Sequence, residues 1–214
     1  MIHFEIRECT REECRLRIPI ETAVHNGDFC PRCSAPMSCV VPAFRHTYPE
    51  TPKPKLNTSF RVVLDNIRSV HNVGAIFRTA DGIGIEHLHL CGLTPHPDDH
   101  PEIGKTALGA ELAVSWSSHP NSLDLAHTLS EKNDCLLALE YTTGAVPITE
   151  FRSTAGTSEA VVLFVGNERS GLDPGVLEFC HTILYLPMVG TKESLNVSVA
   201  FGAAAYWLML ASIV

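Results

Sequence analysis

Cys9 and Cys14 are separated by four residues, Cys30 and Cys33 by two, and fifteen residues lie between the two pairs. Two cysteine pairs at such spacings can close a tetrahedron of thiolates around zinc, as in a four-cysteine zinc ribbon. Free thiols, or a redox couple at Cys30 and Cys33, are the other readings of the same residues. A segment this short holds little core, so a bound metal would supply its folding energy. Cys39 is left over, with His25 as a reserve ligand. Arg7, Arg11, Arg15, Arg17 and Arg32 crowd the same stretch, either as solvated charge or as an RNA-facing patch.

A second set of polar residues follows apolar runs. Gly166-Asn167-Glu168 comes directly after "VVLFV", residues 190–196 after "LYLPM", and residues 142–144 after "LLALE". A glycine at a strand end lets backbone approach a ligand, and a second one permits a sharp turn into the next helix. Read separately, Glu168 is also an ordinary turn residue, and Ser194 and Asn196 are good helix caps. Asn72 is a further candidate cap. Arg78, six residues on, projects beside the apolar stripe of Val73, Ile76, Phe77 and Ala80, where an arginine can simply snorkel over a core.

These residues need a frame. "FRVVLDNI", "HLHLCGL", "LAVSWS", "CLLALEYT", "AVVLFVGN" and "TILYLPM" read as strands, and amphipathic or small-residue helices alternate with them. That order predicts an α/β fold, a parallel sheet with helices on both faces. Ligands of such sheets bind outside the carboxyl ends of the strands, where the three polar clusters converge. The proline-rich "TYPETPKPKLNTS" suggests a linker at 47–59, between a cysteine-rich module at 1–46 and a larger domain at 60–214. Net charge is −8, which argues against nucleic-acid binding driven by bulk charge but leaves room for placed cations. Residues 61–214 carry the deficit, with eight Lys and Arg against seventeen Asp and Glu. No run suits a signal peptide or a membrane span, so a cytoplasmic protein is expected.

Three motifs recur in order: N-x-G-x-x-x-R at 72–78, G-N-E-x-x-G-L at 166–172, and L-P-M-x-G-x-x-x-S-L-N-V-S-V-A at 186–200. Together they resemble the SpoU (TrmH-like) RNA ribose 2′-O-methyltransferases of the SPOUT superfamily, from about residue 60 to the end. The resemblance implies a C-terminal trefoil knot and a homodimer, and S-adenosyl-methionine (SAM) held largely by backbone at Leu139, Gly166, Leu186, Met188 and Leu195 with Ser194 at the rim. It assigns catalytic roles to Arg78, Asn72, Glu168 and Asn196, with Arg78 of one subunit completing the other's site, and RNA (tRNA or rRNA) as substrate. An arginine is a weak base on its intrinsic pKa, so Arg78 is expected to position and polarise, with Glu168 as a competing base. Arg169 stands where the family usually has Gly, and Asp173-Pro174 replaces a common Ser. A non-catalytic RNA-binding protein with a vestigial SAM pocket is the rival reading.

Overall fold

The computed structural model describes residues 4–24, 27–43, 58–151 and 160–213. The expected linker falls outside these over 47–57, as does His25. The chain divides into two compact units, Met1–Lys53 and Pro54–Val214.

The first unit is a three-stranded antiparallel sheet of β1 (Phe4–Cys9), β2 (Arg17–Glu21) and β3 (Met37–Pro42), in the order β2-β1-β3. Its buried apolar centre is Cys9, Cys30, Ala35 and Met37. Four small or medium side chains bury too little surface to hold such a sheet at ordinary burial energies.

The second unit is a seven-stranded sheet in which every paired neighbour is parallel. Its strands are β4 (Ser59–Asp65), β5 (His87–Cys91), β6 (Ser115–His119), β7 (Cys135–Leu139), β8 (Val146–Pro147), β9 (Ala160–Val165) and β10 (Thr182–Tyr185), ordered β6-β5-β4-β9-β7-β10-β8. Alternate residues of the central strands serve opposite faces, as a strand's two-residue period requires. Val62, Leu64, Leu163 and Val165 join one core with Phe77 and Ala80 of helix α1 (Val70–Ile83). Val63, Val162 and Phe164 join another with Leu125 and Leu129 of α4 (Ser122–Glu131) and Val176 of α5 (Pro174–Phe179). Two single-turn helices, α2 (Gly104–Ala107) and α3 (Ala110–Ala113), precede β6, and α3 takes up Leu112 and Ala113 at the start of the stretch read as the strand "LAVSWS".

The last helix, α6 (Val197–Ile213), starts directly after Asn196, the second of the two cap candidates. Asn196 ends the preceding loop, and its Oδ1 accepts from the Ser198 N–H at 3.0 Å. Val197, Phe201, Ala204, Ala205 and Leu208 are buried in the core shared with α1. At the other edge of the sheet, β10 lies between β7 and β8. Leu184 pairs with Leu139 on one side and Val146 on the other, so residues 140–145 cross past β10 to reach its far side.

Candidate active site

A cleft of about 330 Å³ opens at the carboxyl ends of β7, β9 and β10, where open parallel sheets receive their ligands. One wall is Leu139, Glu140 and Tyr141, a second is residues 165–169 with Gly171, and the third is Tyr185, Leu186, Met188 and residues 193–195. Leu139, Gly166, Leu186, Met188, Ser194 and Leu195 therefore share one cavity. Gly190 does not line it, and a side chain there would meet open space. The Tyr141 and Tyr185 rings meet edge to face, 5.3 Å between centroids.

Two glycines let the second wall close. A Cβ on Gly166 would stand 2.5 Å from the Gly171 carbonyl carbon and the Leu172 nitrogen. Gly171 has φ +73°, and a side chain there would press into the Glu140 carboxylate. That carboxylate accepts from Leu172 N–H at 3.0 Å and from Tyr141 N–H at 2.9 Å, joining the first wall to the second. The missing Cβ of Gly166 thus serves contact with the next turn of its own chain. Gly166→Ala should force that turn open, an overpacking cost of about 1–3 kcal/mol. Melting temperature should fall by about 2–4 °C per kcal/mol and cleft affinity should drop with it; thermal unfolding and ligand titration that match the unsubstituted chain would refute this account of the turn.

Beside the cleft, three polar side chains from separate segments are linked. The Asn72 amide donates to Glu168 Oε1 at 2.9 Å, and the Asn196 amide donates to Asn72 Oδ1 at 3.1 Å. Ser69, not Asn72, caps α1, accepting from the Asn72 N–H at 3.3 Å. That leaves the Asn72 side chain in the first turn, free to face Glu168. The Arg68 N–H donates to Glu168 Oε2 at 3.2 Å. Burial pushes the Glu168 pKa up, but the bonds from Asn72 and from the N–H groups of Glu168, Arg68 and Ser69 outweigh it and hold the carboxyl below its usual range. A carboxylate stabilised in this way is a weak proton acceptor.

Arg78 stands apart from these three. It is exposed on α1, does not line the cleft, and has no hydrogen-bond or ion-pair partner among the described residues. Within one chain, Asn72, Glu168 and Asn196 do not orient it.

The sequence model described as the SpoU rRNA Methylase family matches residues 59–206. The chain belongs to that family. The SpoU region is 30% identical over 151 residues to the 23S rRNA (guanosine-2′-O-)-methyltransferase RlmB of Pectobacterium atrosepticum, covering 71% of this chain and 59% of that protein. It is 31% identical over 139 residues to the tRNA (guanosine(18)-2′-O)-methyltransferase of Thermus thermophilus, covering 65% and 68%. Among solved structures, the AdoMet-bound rRNA methyltransferase of Sinorhizobium meliloti superposes with a TM-score of 0.63 at 27% identity, covering 72% of this chain and 56% of that one. The TrmH/SpoU tRNA modifying enzyme of A. aeolicus gives 0.64 at 26%, covering 74% and 77%. The chain spans 59% of the length of the Pectobacterium relative.

The SpoU domain also uses residues that spacing did not single out. Asn167 donates from Nδ2 to the Asn66 carbonyl at 2.6 Å, while its Oδ1 accepts from the N–H groups of Arg169 and Ser170. Only the "GNE" triplet hinted at it, because its partner lies 101 residues away.

In the first unit, the Sγ atoms of Cys9, Cys14, Cys30 and Cys33 all lie within 4.8 Å of one another. Cys9 and Cys33 are 3.4 Å apart and Cys14 and Cys30 are 3.7 Å apart, with no disulfide among the eight cysteines. Four thiolates at ~2.3 Å from one zinc would stand roughly 3.8 Å from each other, so the donor set fits. Cys39 is exposed and outside the cluster. The arginines nearby are largely neutralised: Arg7 pairs with Glu5 and Asp28, and Arg15 and Arg17 pair with Glu8. Arg11 and Arg32 have no carboxylate partner among the described residues.

Proposed function

We propose that this chain is a SAM-dependent RNA methyltransferase acting on the 2′-hydroxyl of a ribose in tRNA or rRNA. The observation that carries the reading is the Asn72–Glu168–Asn196 network, which touches the cleft through Glu168. Bound SAM supplies the electrophilic methyl group. The six residues Leu139, Gly166, Leu186, Met188, Ser194 and Leu195 would hold it, with the chain around β10 drawn into a trefoil knot. Glu168 is ionised and satisfied by donors, so its role is to fix Asn72 and the rim rather than to take the ribose proton. Arg78 polarises the ribose and its phosphate, acting on the cleft of a second copy in a homodimer.

Two features support the dimer. Arg78 has no work in its own chain's cleft. On α6, Val199, Tyr206, Trp207 and Leu210 are 55%, 46%, 42% and 56% exposed, an unusual amount of large apolar surface on one helix. In the N-terminal unit, a structural zinc on Cys9, Cys14, Cys30 and Cys33 would stabilise a small module for RNA docking through Arg11 and Arg32. No described helix is long and apolar enough to cross a membrane. Eight unpaired cysteines suit a reducing compartment such as the cytoplasm.

Calorimetry with SAM and with its demethylated product should give micromolar-order affinity, about −8 kcal/mol. Sequencing-based mapping of ribose methylation, in cells with and without the gene, should then find a lost 2′-O-methyl group. No heat and no thermal shift with either ligand would favour the vestigial pocket and remove the enzyme reading.

A further inference from the structure

We propose that Arg68 and Arg169 together form a phosphate clamp at the mouth of the cleft, seating the backbone of the RNA strand whose ribose is modified; this rests on the methyltransferase reading above. The turn after β4 and the turn after β9 are joined side by side. Asn167 donates to the Asn66 carbonyl at 2.6 Å, and Glu168 accepts from the Arg68 N–H at 3.2 Å. The same Asn167 fixes the Arg169 N–H at 2.9 Å. The two arginines are thus tethered at their backbones, one on each turn, around one carboxylate.

Their guanidinium groups are available. Both residues are exposed, and neither side chain has a hydrogen-bond or ion-pair partner among the described residues. Glu168, the carboxylate between them, accepts from Asn72 and from backbone, so it pairs with neither guanidinium. The two arginines share this lack of a partner with Arg11, Arg32 and Arg78 among the described residues, whereas the exposed Arg15 and Arg17 pair with Glu8. The charge balance makes such cations necessary. The charged residues lining the cleft are Glu140, Glu168, Glu193 and Arg169, in a chain of net charge −8. A polyanion entering that mouth meets three carboxylates, and its phosphates need fixed cations to offset them. Arginine's planar fork matches two phosphate oxygens at once, which a mobile counterion does not.

The test uses the full chain, with a mixture of unmodified tRNA transcripts and, separately, total ribosomal RNA as probes. Arg68→Ala and Arg169→Ala should each weaken RNA binding about fivefold near 0.1 M salt, the change expected when one phosphate contact is lost. Each should also make the plot of log affinity against log salt shallower by roughly 0.7–0.9, while SAM affinity measured by calorimetry stays unchanged in Arg68→Ala, whose residue does not line the cleft. The Lys variants should recover the slope but only part of the affinity. Unchanged RNA affinity and slope in both Ala variants would overturn the clamp. A fall in SAM affinity in Arg169→Ala with RNA binding intact would also overturn it, making Arg169 a cofactor contact. If the unsubstituted chain binds neither SAM nor RNA, the methyltransferase reading fails first and the clamp with it; a chain that methylates RNA while its variants keep the full salt slope loses the clamp alone.

Discussion

Arg78→Ala is expected to leave SAM affinity nearly intact while methyl transfer falls about 10²–10³-fold, the roughly 3–4 kcal/mol that a charge-assisted transition-state contact contributes. The structure sharpens the reason. Arg78 is exposed, does not line the cleft, and is separate from the Asn72–Glu168–Asn196 network, so its loss should disturb neither. Arg78→Lys should rescue little, because a point charge cannot hold two oxygens in one plane. The subunit assignment has its own test. Chains carrying Arg78→Ala, mixed with chains whose cleft wall is disrupted by Gly166→Val, should regain partial activity, since one site in each mixed dimer keeps both good halves. Proven heterodimers without any recovery would confine Arg78 to its own subunit and end the shared-site proposal.

The second large effect concerns metal. Protein purified without chelators should carry close to one zinc per chain by elemental analysis. Cys30→Ser should abolish that content, and circular dichroism should lose the antiparallel sheet of residues 4–42 while the parallel sheet still melts cooperatively. Structural zinc contributes an apparent 10–16 kcal/mol in peptides of this kind, roughly speaking, and the unit's own buried centre of Cys9, Cys30, Ala35 and Met37 offers no substitute. Cys39→Ser should leave the metal content unchanged. Full zinc occupancy in Cys30→Ser, or none in the unsubstituted chain, would remove the ribbon.

The parallel sheet was legible because its strands are buried on both faces and so read as apolar runs, and because helices separate them. The two-residue β8 was not, since Val146-Pro147 has no periodicity to read. Nor were β1 and β2: "FEIREC" and "RIPIE" are half-exposed strands whose partners, not their composition, define them. The six cleft residues, five of them within the ordered motifs, could be named through the family resemblance, and they do share a cavity. What motif order hid was pairing over distance. Asn72 reads as a cap until Glu168, 96 residues later, is seen to accept its amide. Arg68 belongs to none of the three motifs, and only its backbone bond to Glu168, 100 residues later, ties it to the site.

The insertion of β10 between β7 and β8 bears on how long the folded molecule lasts. The cleft's walls come from residues 139–141, 165–171 and 185–195, three segments that must all be in place before it can hold a ligand. Contacts that form after the rate-limiting step of folding affect mainly the rate of unfolding. A ligand in that cleft would therefore do little to hurry a new chain to its native state. It would slow the escape of a finished one, so the protein's lifetime in the cell would follow the supply of its cofactor.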